Sequence, residues 1–215
     1  RAYNNRPERF GFVITSESSS ILAFRGTGSA VEWVSDFIAQ QTPYRPVRQA
    51  GGTHKGFTDI YMSARDQVYS LLAQLPPDRP LFITGHSLGG ALATLAALDI
   101  ASNSPFTAPV VYTFGAPRVG DPDFVRAYNY TVPYHWRVQN EFDIVPHLPP
   151  LVYQSPQTKQ TYFYLHVKGE VMRSFRMGSV AGNHILSSYF ADLAREHPQL
   201  AASMCAEPPG WCPAD

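Results

Sequence analysis

The residues with the clearest chemical potential surround a serine. The stretch from Leu81 to Ala93 reads LFITGHSLGGALA, so Ser87 has Gly85 and Gly89 at two positions on either side. The apolar residues before the serine predict a strand, and the Leu and Ala residues after it recur at helical spacing. A reactive serine at the apex of a sharp strand-to-helix turn requires this arrangement, because the flanking positions tolerate little side chain. The pattern predicts that Ser87 is a nucleophile.

The same position predicts how a developing negative charge is stabilised. Ser87 would lie at the start of the helix, where unpaired N–H groups and the positive end of the helix dipole favour an oxyanion. The backbone N–H of Leu88 is the expected donor. Because a serine hydroxyl is a weak nucleophile at neutral pH, it also needs a histidine base and a carboxylate that orients the histidine. The expected chain order is serine, acid, histidine.

The acid is expected at the carboxyl end of a later strand, because ligand sites gather at that edge of an open α/β sheet. Asp143 meets this requirement, since it follows a strand predicted over 135–138. Asp121 lies farther from the end of its strand, and the Asp-Pro pair that it begins is typical of a helix cap. Asp143 is therefore favoured, but Glu141 is too close to it in sequence for position to separate the two.

Elimination favours one histidine as the base. The candidates after the acid are His147, His166, His184 and His197. His147 lies between prolines and too close to Asp143 to turn back easily. His166 falls within a strand pattern that is typical of a structural histidine, and His197 lies in a polar C-terminal turn. His184 stands in a loop directly before a predicted helix, where a flexible approach can deliver the imidazole.

The remaining pattern predicts a sheet that positions these residues. Strands and helices alternate, which indicates a mostly parallel α/β sheet with antiparallel hairpins at its edges. The predicted elements are a hairpin over 10–15 and 20–25, a weak strand over 45–50, an amphipathic helix from 57 to the prolines at 76 and 77, strands over 109–114 and 135–138, a hairpin formed by 159–167 and 170–175, and a helix over 186–195.

A short helix after the break at 26–28 has two interpretations. Ser29 begins a capping-box pattern, and Trp33 and Phe37 lie on one side of the helix with Val34 on the adjoining side. An ordinary core helix would have this pattern. A lid, whose apolar face covers a site in water and turns towards lipid, would have it as well.

Composition narrows the classes of protein. The 215 residues and 23.9 kDa fit one domain over 1–215. Equal numbers of basic and acidic side chains, 17 of each, argue against a nucleic-acid surface and favour a neutral or apolar substrate. The sequence contains no apolar stretch of about 20 residues, so no integral membrane segment is predicted. Zinc-binding and phosphate-cradling motifs are absent from the sequence, so neither a metal nor another cofactor is expected.

The two ends of the chain bear on its compartment. The sequence begins at Arg1 without a Met or an apolar signal core, so we expect that the N-terminus has been processed, truncated or left out. Cys205 and Cys212 both lie in a Pro-rich tail over 204–215. A disulfide between them would indicate an oxidising compartment and a secreted protein, and two free thiols are the alternative.

Together the motifs resemble those of the class 3 lipases, the group that includes the triacylglycerol lipases of filamentous fungi. The resemblance runs from about Phe10 to Tyr189, and the order of its motifs makes it specific. The residues that carry it are Phe24-Arg25-Gly26-Thr27, Thr84-Gly85-His86-Ser87-Leu88-Gly89-Gly90-Ala91, Gly115-Ala116-Pro117-Arg118-Val119-Gly120-Asp121, Asp143-Ile144-Val145-Pro146-His147-Leu148-Pro149-Pro150 and Asn183-His184.

The resemblance implies roles for individual residues. By position, it implies a catalytic triad of Ser87, Asp143 and His184, and so selects Asp143 over its acidic neighbour. It also implies that Thr27 and Leu88 form the oxyanion hole.

It further implies an α/β-hydrolase fold, with helices on both faces of a mostly parallel central sheet and a short helical lid at about 28–39. Trp33, Val34 and Phe37 would then be substrate-binding residues of that lid. The lid, the loop over 150–160 and the segment before the first strand look short beside the fungal members, which favours the compact bacterial members.

The function implied is that of a triacylglycerol lipase, a monomer that acts on lipid esters at an oil–water interface. The alternative on the same fold is a soluble carboxylesterase of the feruloyl or phospholipid type, and a more remote one is a non-catalytic lipid-binding module.

Overall fold

The structure is a computed structural model that describes residues 10–26 and 39–206. Its strands are β1 (Gly11–Thr15), β2 (Ser20–Phe24), β3 (Gln41–Pro43), β4 (Gly52–His54), β5 (Leu81–His86), β6 (Val110–Phe114), β7 (Tyr134–Asn140), β8 (Val152–Gln154), β9 (Thr161–Phe163) and β10 (Glu170–Arg173). Its helices are α1 (Lys55–Leu72), α2 (Leu88–Asn103), α3 (Pro122–Thr131), α4 (Val180–His184), α5 (Leu186–Glu196) and α6 (Pro198–Ala206), with a 3₁₀ turn over Val145–His147.

A six-stranded sheet forms the centre of the fold, in the order β1-β2-β5-β6-β7-β10. Neighbouring strands from β2 to β10 pair in parallel, and β1 is added antiparallel at one edge through its hairpin with β2. The mostly parallel sheet and the edge hairpin that the sequence predicts are therefore confirmed.

The helix that follows Ser87 is the centre of the core. Helix α2 is rich in Ala and Leu and apolar on all sides, and nearly all of its residues are buried. A helix of this composition must be enclosed on every side. It packs on β2, β5 and β6 on one side, and α1 and α3 cover it on the other.

The opposite face of the sheet is covered in part by α5. Tyr189 of this helix is buried with Val138 of β7 and Phe175, and Phe114 of β6 packs against the same cluster. Helices therefore lie on both faces of the sheet, as the α/β-hydrolase fold requires. Among the helices of the described part of the chain, none is long and apolar enough to span a bilayer.

The strand predicted over 45–50 is wrong. Those residues form the turn that joins β3 to β4, two short strands that pair antiparallel. Pro46 lacks an N–H for a ladder, and the positive φ values of Gln49 (60°) and Gly51 (74°) bend the chain back. The Tyr44 N–H donates to the Gly51 carbonyl and closes the turn.

The hairpin predicted from 159–167 and 170–175 is also wrong. Strand β9 pairs with β8 in a separate two-stranded sheet, whereas β10 joins the central sheet in parallel with β7. Gly169 separates them at a φ of 86°, and a methyl group there would lie 1.8 Å from the His135 carbonyl oxygen. The Arg137 N–H donates to the Gly169 carbonyl, which brings the chain alongside β7.

The expected lid and the C-terminal tail are only partly included in the described residues. The expected lid at 28–39 lies outside the described residues except for Ala39, which is buried with Tyr162 and Tyr164. The helix predicted over 186–195 is confirmed as α5, and it lies between two helices, α4 and α6, that the sequence did not predict. Cys205 is in a disulfide, and Cys212 lies outside the described residues.

Candidate active site

Ser87 stands at a strained turn between β5 and α2. Its φ of 58° and ψ of −126° are unfavourable for a residue with a side chain. The Ser87 N–H donates to the carbonyl of Phe114 at 3.0 Å, which ties the turn to β6. Such strain persists only where the surroundings enforce it, and it is concentrated at functional sites.

The flanking glycines are required by close backbone contacts. A methyl group on Gly85 would lie 2.2 Å from the carbonyl oxygen of Gly89. One on Gly89 would lie 2.3 Å from the carbonyl oxygen of Phe24 at the end of β2. The glycine spacing in the sequence therefore has the steric cause that was inferred for it.

The structure brings Ser87, His184 and Asp143 together. The Nδ1 atom of His184 lies 2.7 Å from Oδ2 of Asp143, and its Nε2 atom lies 2.9 Å from Oγ of Ser87. Because a carboxylate only accepts hydrogen bonds, Nδ1 donates to Asp143 and Nε2 is free to accept from the serine hydroxyl. All three residues are buried, with exposed fractions of 2% for Ser87 and His184 and 0% for Asp143.

The Asp143 carboxylate is fixed by groups besides the histidine. It follows β7, and its Oδ1 atom accepts the N–H of Val145 at 2.9 Å. Its Oδ2 atom also accepts the hydroxyl of Tyr189 at 2.7 Å. Burial and the nearby Asp143 charge raise the pKa of Tyr189 above its ordinary value, so the phenol remains a donor.

Two asparagines join the acid segment to the histidine segment. The Asn140 side chain donates to the carbonyl of Asn183 at 3.2 Å, and the Asn183 side chain donates to the carbonyl of Phe142 at the same distance. The sequence analysis did not single out Asn140 or find a role for the Asn183 side chain. The available signal was their position in the chain, since Asn183 directly precedes the predicted base and Asn140 lies three residues before the predicted acid.

His86 and Gly115 also contact this group and were not assigned roles. The His86 ring nitrogen Nε2 lies 2.6 Å from the carbonyl oxygen of His184. Gly115 directly follows β6 and has a φ of 54°, and a methyl group on it would lie 2.8 Å from Oδ2 of Asp143 and 3.2 Å from the His184 ring. The sequence signal for Gly115 was its place directly after a strand at the functional edge of the sheet.

The rejected acids have other partners. Glu141 accepts a hydrogen bond from the Ser174 hydroxyl at 3.0 Å. Asp121 caps α3 by accepting the Phe124 N–H at 2.8 Å, and its other oxygen accepts the Gly52 N–H at 2.7 Å. The helix cap predicted from the Asp-Pro pair is therefore confirmed.

The other candidate histidines lie outside the triad geometry. His147 ends the 3₁₀ turn, and His197 follows α5. His166 has its Nε2 atom 2.7 Å from the carbonyl of Pro146, and burial, with Arg137 adding to the effect, lowers its pKa to about 3. Its structural role is as predicted.

The expected oxyanion hole is described on one side. Leu88 is the first residue of α2 and buried, so its N–H belongs to the first turn, where N–H groups have no acceptor within the helix. Thr27 lies outside the described residues. The preceding Gly26 is described, and a methyl group on it would lie 3.5 Å from the Ser87 Cβ atom.

Exposed apolar side chains stand next to the triad in the chain. Ile144 follows Asp143, and Ile185 and Leu186 follow His184, with exposed fractions between 44% and 46%. Trp33, Val34 and Phe37, the side chains expected to bind substrate from the lid, lie outside the described residues. Over 10–26 and 39–206, no group of three His, Cys, Asp or Glu side chains is arranged to hold a metal ion.

A parallel sheet with a serine on a strained strand-to-helix turn, followed in the chain by an acid and a histidine, defines the α/β-hydrolase class. The sequence profile described as Lipase (class 3) matches residues 21–153. Since this is more than half of the chain, the chain belongs to the class 3 lipase family.

Three similar proteins illustrate the relationship. A lipase of Rhizomucor miehei is 42% identical over 154 residues, which are 64% of this chain and 39% of that protein. Phospholipase A1-II 1 of Oryza sativa subsp. indica is 33% identical over 191 residues, covering 74% of this chain and 49% of that protein. The solved structure of Rhizomucor miehei triacylglyceride lipase has a TM-score of 0.64 at 34% identity and covers 75% of this chain and 60% of that chain. The chain thus spans less than half the length of these two curated relatives.

Proposed function

We propose that this chain is a triacylglycerol lipase that hydrolyses carboxylic esters through a serine acyl-enzyme. Ser87 is the nucleophile, His184 is the general base and Asp143 orients the histidine. The observation that carries the proposal is the continuous hydrogen-bonded chain from Ser87 Oγ to His184 Nε2 at 2.9 Å and from His184 Nδ1 to Asp143 Oδ2 at 2.7 Å. Membership of the class 3 lipase family supports it.

In the acylation step, the Ser87 Oγ atom attacks the ester carbonyl carbon while its proton passes to Nε2 of His184. The resulting imidazolium is stabilised by the Asp143 carboxylate. The tetrahedral intermediate then collapses, the C–O bond to the alcohol breaks, and His184 returns the proton to the leaving alkoxide. The products are a free alcohol and an acyl group bound to Ser87.

Deacylation repeats these steps with water. His184 takes a proton from a water molecule, and the water oxygen attacks the acyl carbon. The bond between Ser87 Oγ and the acyl carbon then breaks, and His184 returns the proton to Oγ. In both steps the backbone N–H groups of Leu88 and Thr27 hold the oxyanion, and Leu88 is supported by its place in the first turn of α2.

The substrate proposed is a lipid ester at an oil–water interface. Ile144, Ile185 and Leu186 give the surroundings of the triad an exposed apolar character that suits acyl chains. The segment at about 28–39 acts as a lid, in which Trp33 and Phe37 contact the substrate. We also propose a secreted monomer, and the disulfide at Cys205 supports an oxidising compartment.

The test is Ser87→Ala, assayed on emulsified tributyrin. We expect a loss of several orders of magnitude in kcat with the fold intact, because the oxyanion hole and substrate binding without the nucleophile retain only a small part of the full rate. Ser20→Ala is the matched control, since Ser20 is equally buried but lies at the start of β2. Covalent labelling by a fluorophosphonate should occur in the parent and the control only. Ester hydrolysis by Ser87→Ala near the parent rate would refute the proposal.

A phospholipid esterase is the second candidate, and the similarity to the rice phospholipase A1-II 1 favours it. Parallel rates on tributyrin and on phosphatidylcholine vesicles separate the two. A higher kcat/KM on tributyrin, with a rise in rate beyond its solubility limit, supports the lipase. A preference for the phospholipid, with free fatty acid released from the first glycerol carbon, supports the alternative.

A further inference from the structure

His86 is a largely buried histidine that lies next to the triad and is not part of it. It ends β5 and immediately precedes Ser87 in the chain. Its ring contacts the rings of two residues of the site, with its centroid 4.6 Å from that of His184 and 6.2 Å from that of Tyr189. The ring planes of the two histidines are inclined at only 36°.

The hydrogen bond of His86 is made to the backbone of the base. Its Nε2 atom lies 2.6 Å from the carbonyl oxygen of His184. A carbonyl only accepts, so Nε2 carries the hydrogen and His86 donates. His184 ends the short helix α4, where the last carbonyls have no donor within the helix. His86 supplies that donor.

We propose that His86 is a positioning residue for ester hydrolysis: its Nε2–H holds the backbone of His184 and its ring packs on the His184 ring, so that the base stays within reach of Ser87. The inference rests on the proposed function. One peptide bond joins His86 to the nucleophile, and one hydrogen bond joins it to the base. The two reacting residues, distant in sequence, are thereby linked by a direct path.

The electrostatic surroundings keep His86 in the form that this role needs. Burial and, secondarily, His184 lower the pKa of His86 to about 4, although the Asp143 carboxylate opposes the shift. The groups that face the His86 ring are His184, Asp143 and the Tyr189 phenol. His86 is therefore neutral at the pH where His184 must act as a base, and it does not add a positive charge beside the imidazolium of the intermediate.

The experiment compares variants that keep or lose the donor. The Nε2 of Gln has about the reach of the histidine Nε2, so His86→Gln should retain the bond, whereas His86→Leu removes it. His86→Asn keeps an amide that is too short to reach the carbonyl. We expect kcat on tributyrin to fall about 10- to 100-fold for Leu and for Asn with KM changed less than about 3-fold, the size of loss expected from misplacing a catalytic group. Gln should recover most of the loss.

His166 provides the matched control. It also places Nε2 at hydrogen-bond distance, 2.7 Å, from a backbone carbonyl, and its pKa is also lowered, but that carbonyl belongs to Pro146 and not to a residue of the triad. His166→Leu should change kcat by less than about 3-fold, because its bond is not made to Ser87, Asp143 or His184. Thermal unfolding of every variant establishes that the fold is intact.

A proton NMR measurement separates this inference from the proposed function. The hydrogen between Nδ1 of His184 and Asp143 gives a far-downfield signal that needs no substrate. We expect His86→Leu or His86→Asn to shift or broaden this signal and His86→Gln to preserve it. An inactive parent with these NMR effects would overturn the proposed function alone. Folded Leu and Asn variants with parental kcat and an unchanged signal would overturn the role of His86.

Discussion

Three non-glycine residues of the described part of the chain have a positive φ: Gln49, Ser87 and Lys159. Gln49 and Lys159 are exposed turn residues, whereas Ser87 is buried with an exposed fraction of 2%. A buried residue is held in an unfavourable conformation only where its surroundings require it. The contacts of Ser87 with β6 and α2 hold it in this conformation, which is the conformation expected of a nucleophile at a strand-to-helix turn.

Gly115→Ala should impair catalysis more than stability. The new methyl group would lie 2.8 Å from Oδ2 of Asp143, so the carboxylate must move away from His184. We expect kcat to fall at least about 10-fold, as measured on tributyrin, because a small displacement of a catalytic group has effects of this size.

Gly178→Ala is the control for Gly115→Ala. Gly178 has a φ of 73°, so Ala is strained there as well, but a methyl group on it meets nothing within 4 Å. It should lower the free energy of unfolding by about 1 kcal/mol, as expected for Ala at positive φ, and leave kcat near the parent value. Equal kcat values for the two variants would contradict the steric explanation.

Tyr189→Phe should slow the reaction. The variant removes the hydroxyl that donates to Oδ2 of Asp143 at 2.7 Å. The carboxylate that orients His184 then loses one of the groups that hold it in place. We expect kcat to fall about 10-fold, typical of losing a hydrogen bond to a charged group.

The control for this substitution is Tyr128→Phe, because Tyr128 is also buried and its hydroxyl lies 2.8 Å from Nδ1 of His135. That variant should lose stability but keep the parental kcat on tributyrin. An equal fall in kcat in the two variants, or a parental kcat in Tyr189→Phe, would refute the role given to the Tyr189 hydroxyl.

At the scale of residues, the sequence predicted the three side chains that the structure brings together better than the groups that hold them. Ser87, Asp143 and His184 follow from a chemical requirement and a chain order, both of which are readable in one dimension. Asn140 and Tyr189 make their contacts across different elements, so no local pattern distinguishes them from ordinary polar residues. Sequence position likewise did not separate Glu141 from Asp143, because the folded chain determines which of the two carboxylates contacts His184.

At the scale of elements, predictions succeeded where periodicity or capping determined the outcome. Helix α1, helix α5 and the edge hairpin follow from apolar spacing and turn residues. The pairing of β10 does not, because a β-rich stretch carries no signal of which strand it joins. The close approach of Gly169 to β7 selects a parallel partner for β10.

The cap of α3 gives a test at this scale. Asp121→Ala removes the acceptor of the Phe124 N–H and of the Gly52 N–H, so α3 and β4 both lose a hydrogen bond. We expect urea denaturation to show a loss of about 1 to 3 kcal/mol in the free energy of unfolding. In Asp123→Ala, which breaks only an exposed pair with Arg126, the loss should be below about 1 kcal/mol. Equal losses would remove the capping role.

At the scale of the molecule, three histidines make stability depend on pH. Burial is the main cause that lowers the pKa of His86 to about 4 and those of His135 and His166 to about 3. The ordinary pKa of a histidine is about 6.5, so the unfolded chain binds more protons than the folded one between the lowered and the ordinary values. The free energy of unfolding therefore decreases as the pH is lowered through this range.

Urea denaturation at pH 7.5 and pH 5 checks this dependence. At pH 5 we expect a loss of up to about 2 kcal/mol for each histidine relative to pH 7.5, because pH 5 lies about 1.5 units below the ordinary pKa and still above the lowered values. His166→Gln should show a smaller difference between the two pH values than the parent. An equal free energy of unfolding at both would contradict the lowered pKa values.

Helix α2 is enclosed on every side, and this has a consequence for how the protein can diversify. Ser87 and Leu88 begin that helix, so their positions are fixed by the same packing that holds the chain folded. Ile144 and Ile185, beside the acid and the base, are exposed and support no such packing. Substrate preference can therefore change by substitution at these surface positions without loss of folding. Substitutions selected for activity on new esters should accumulate there, while the residues of the serine turn stay constant.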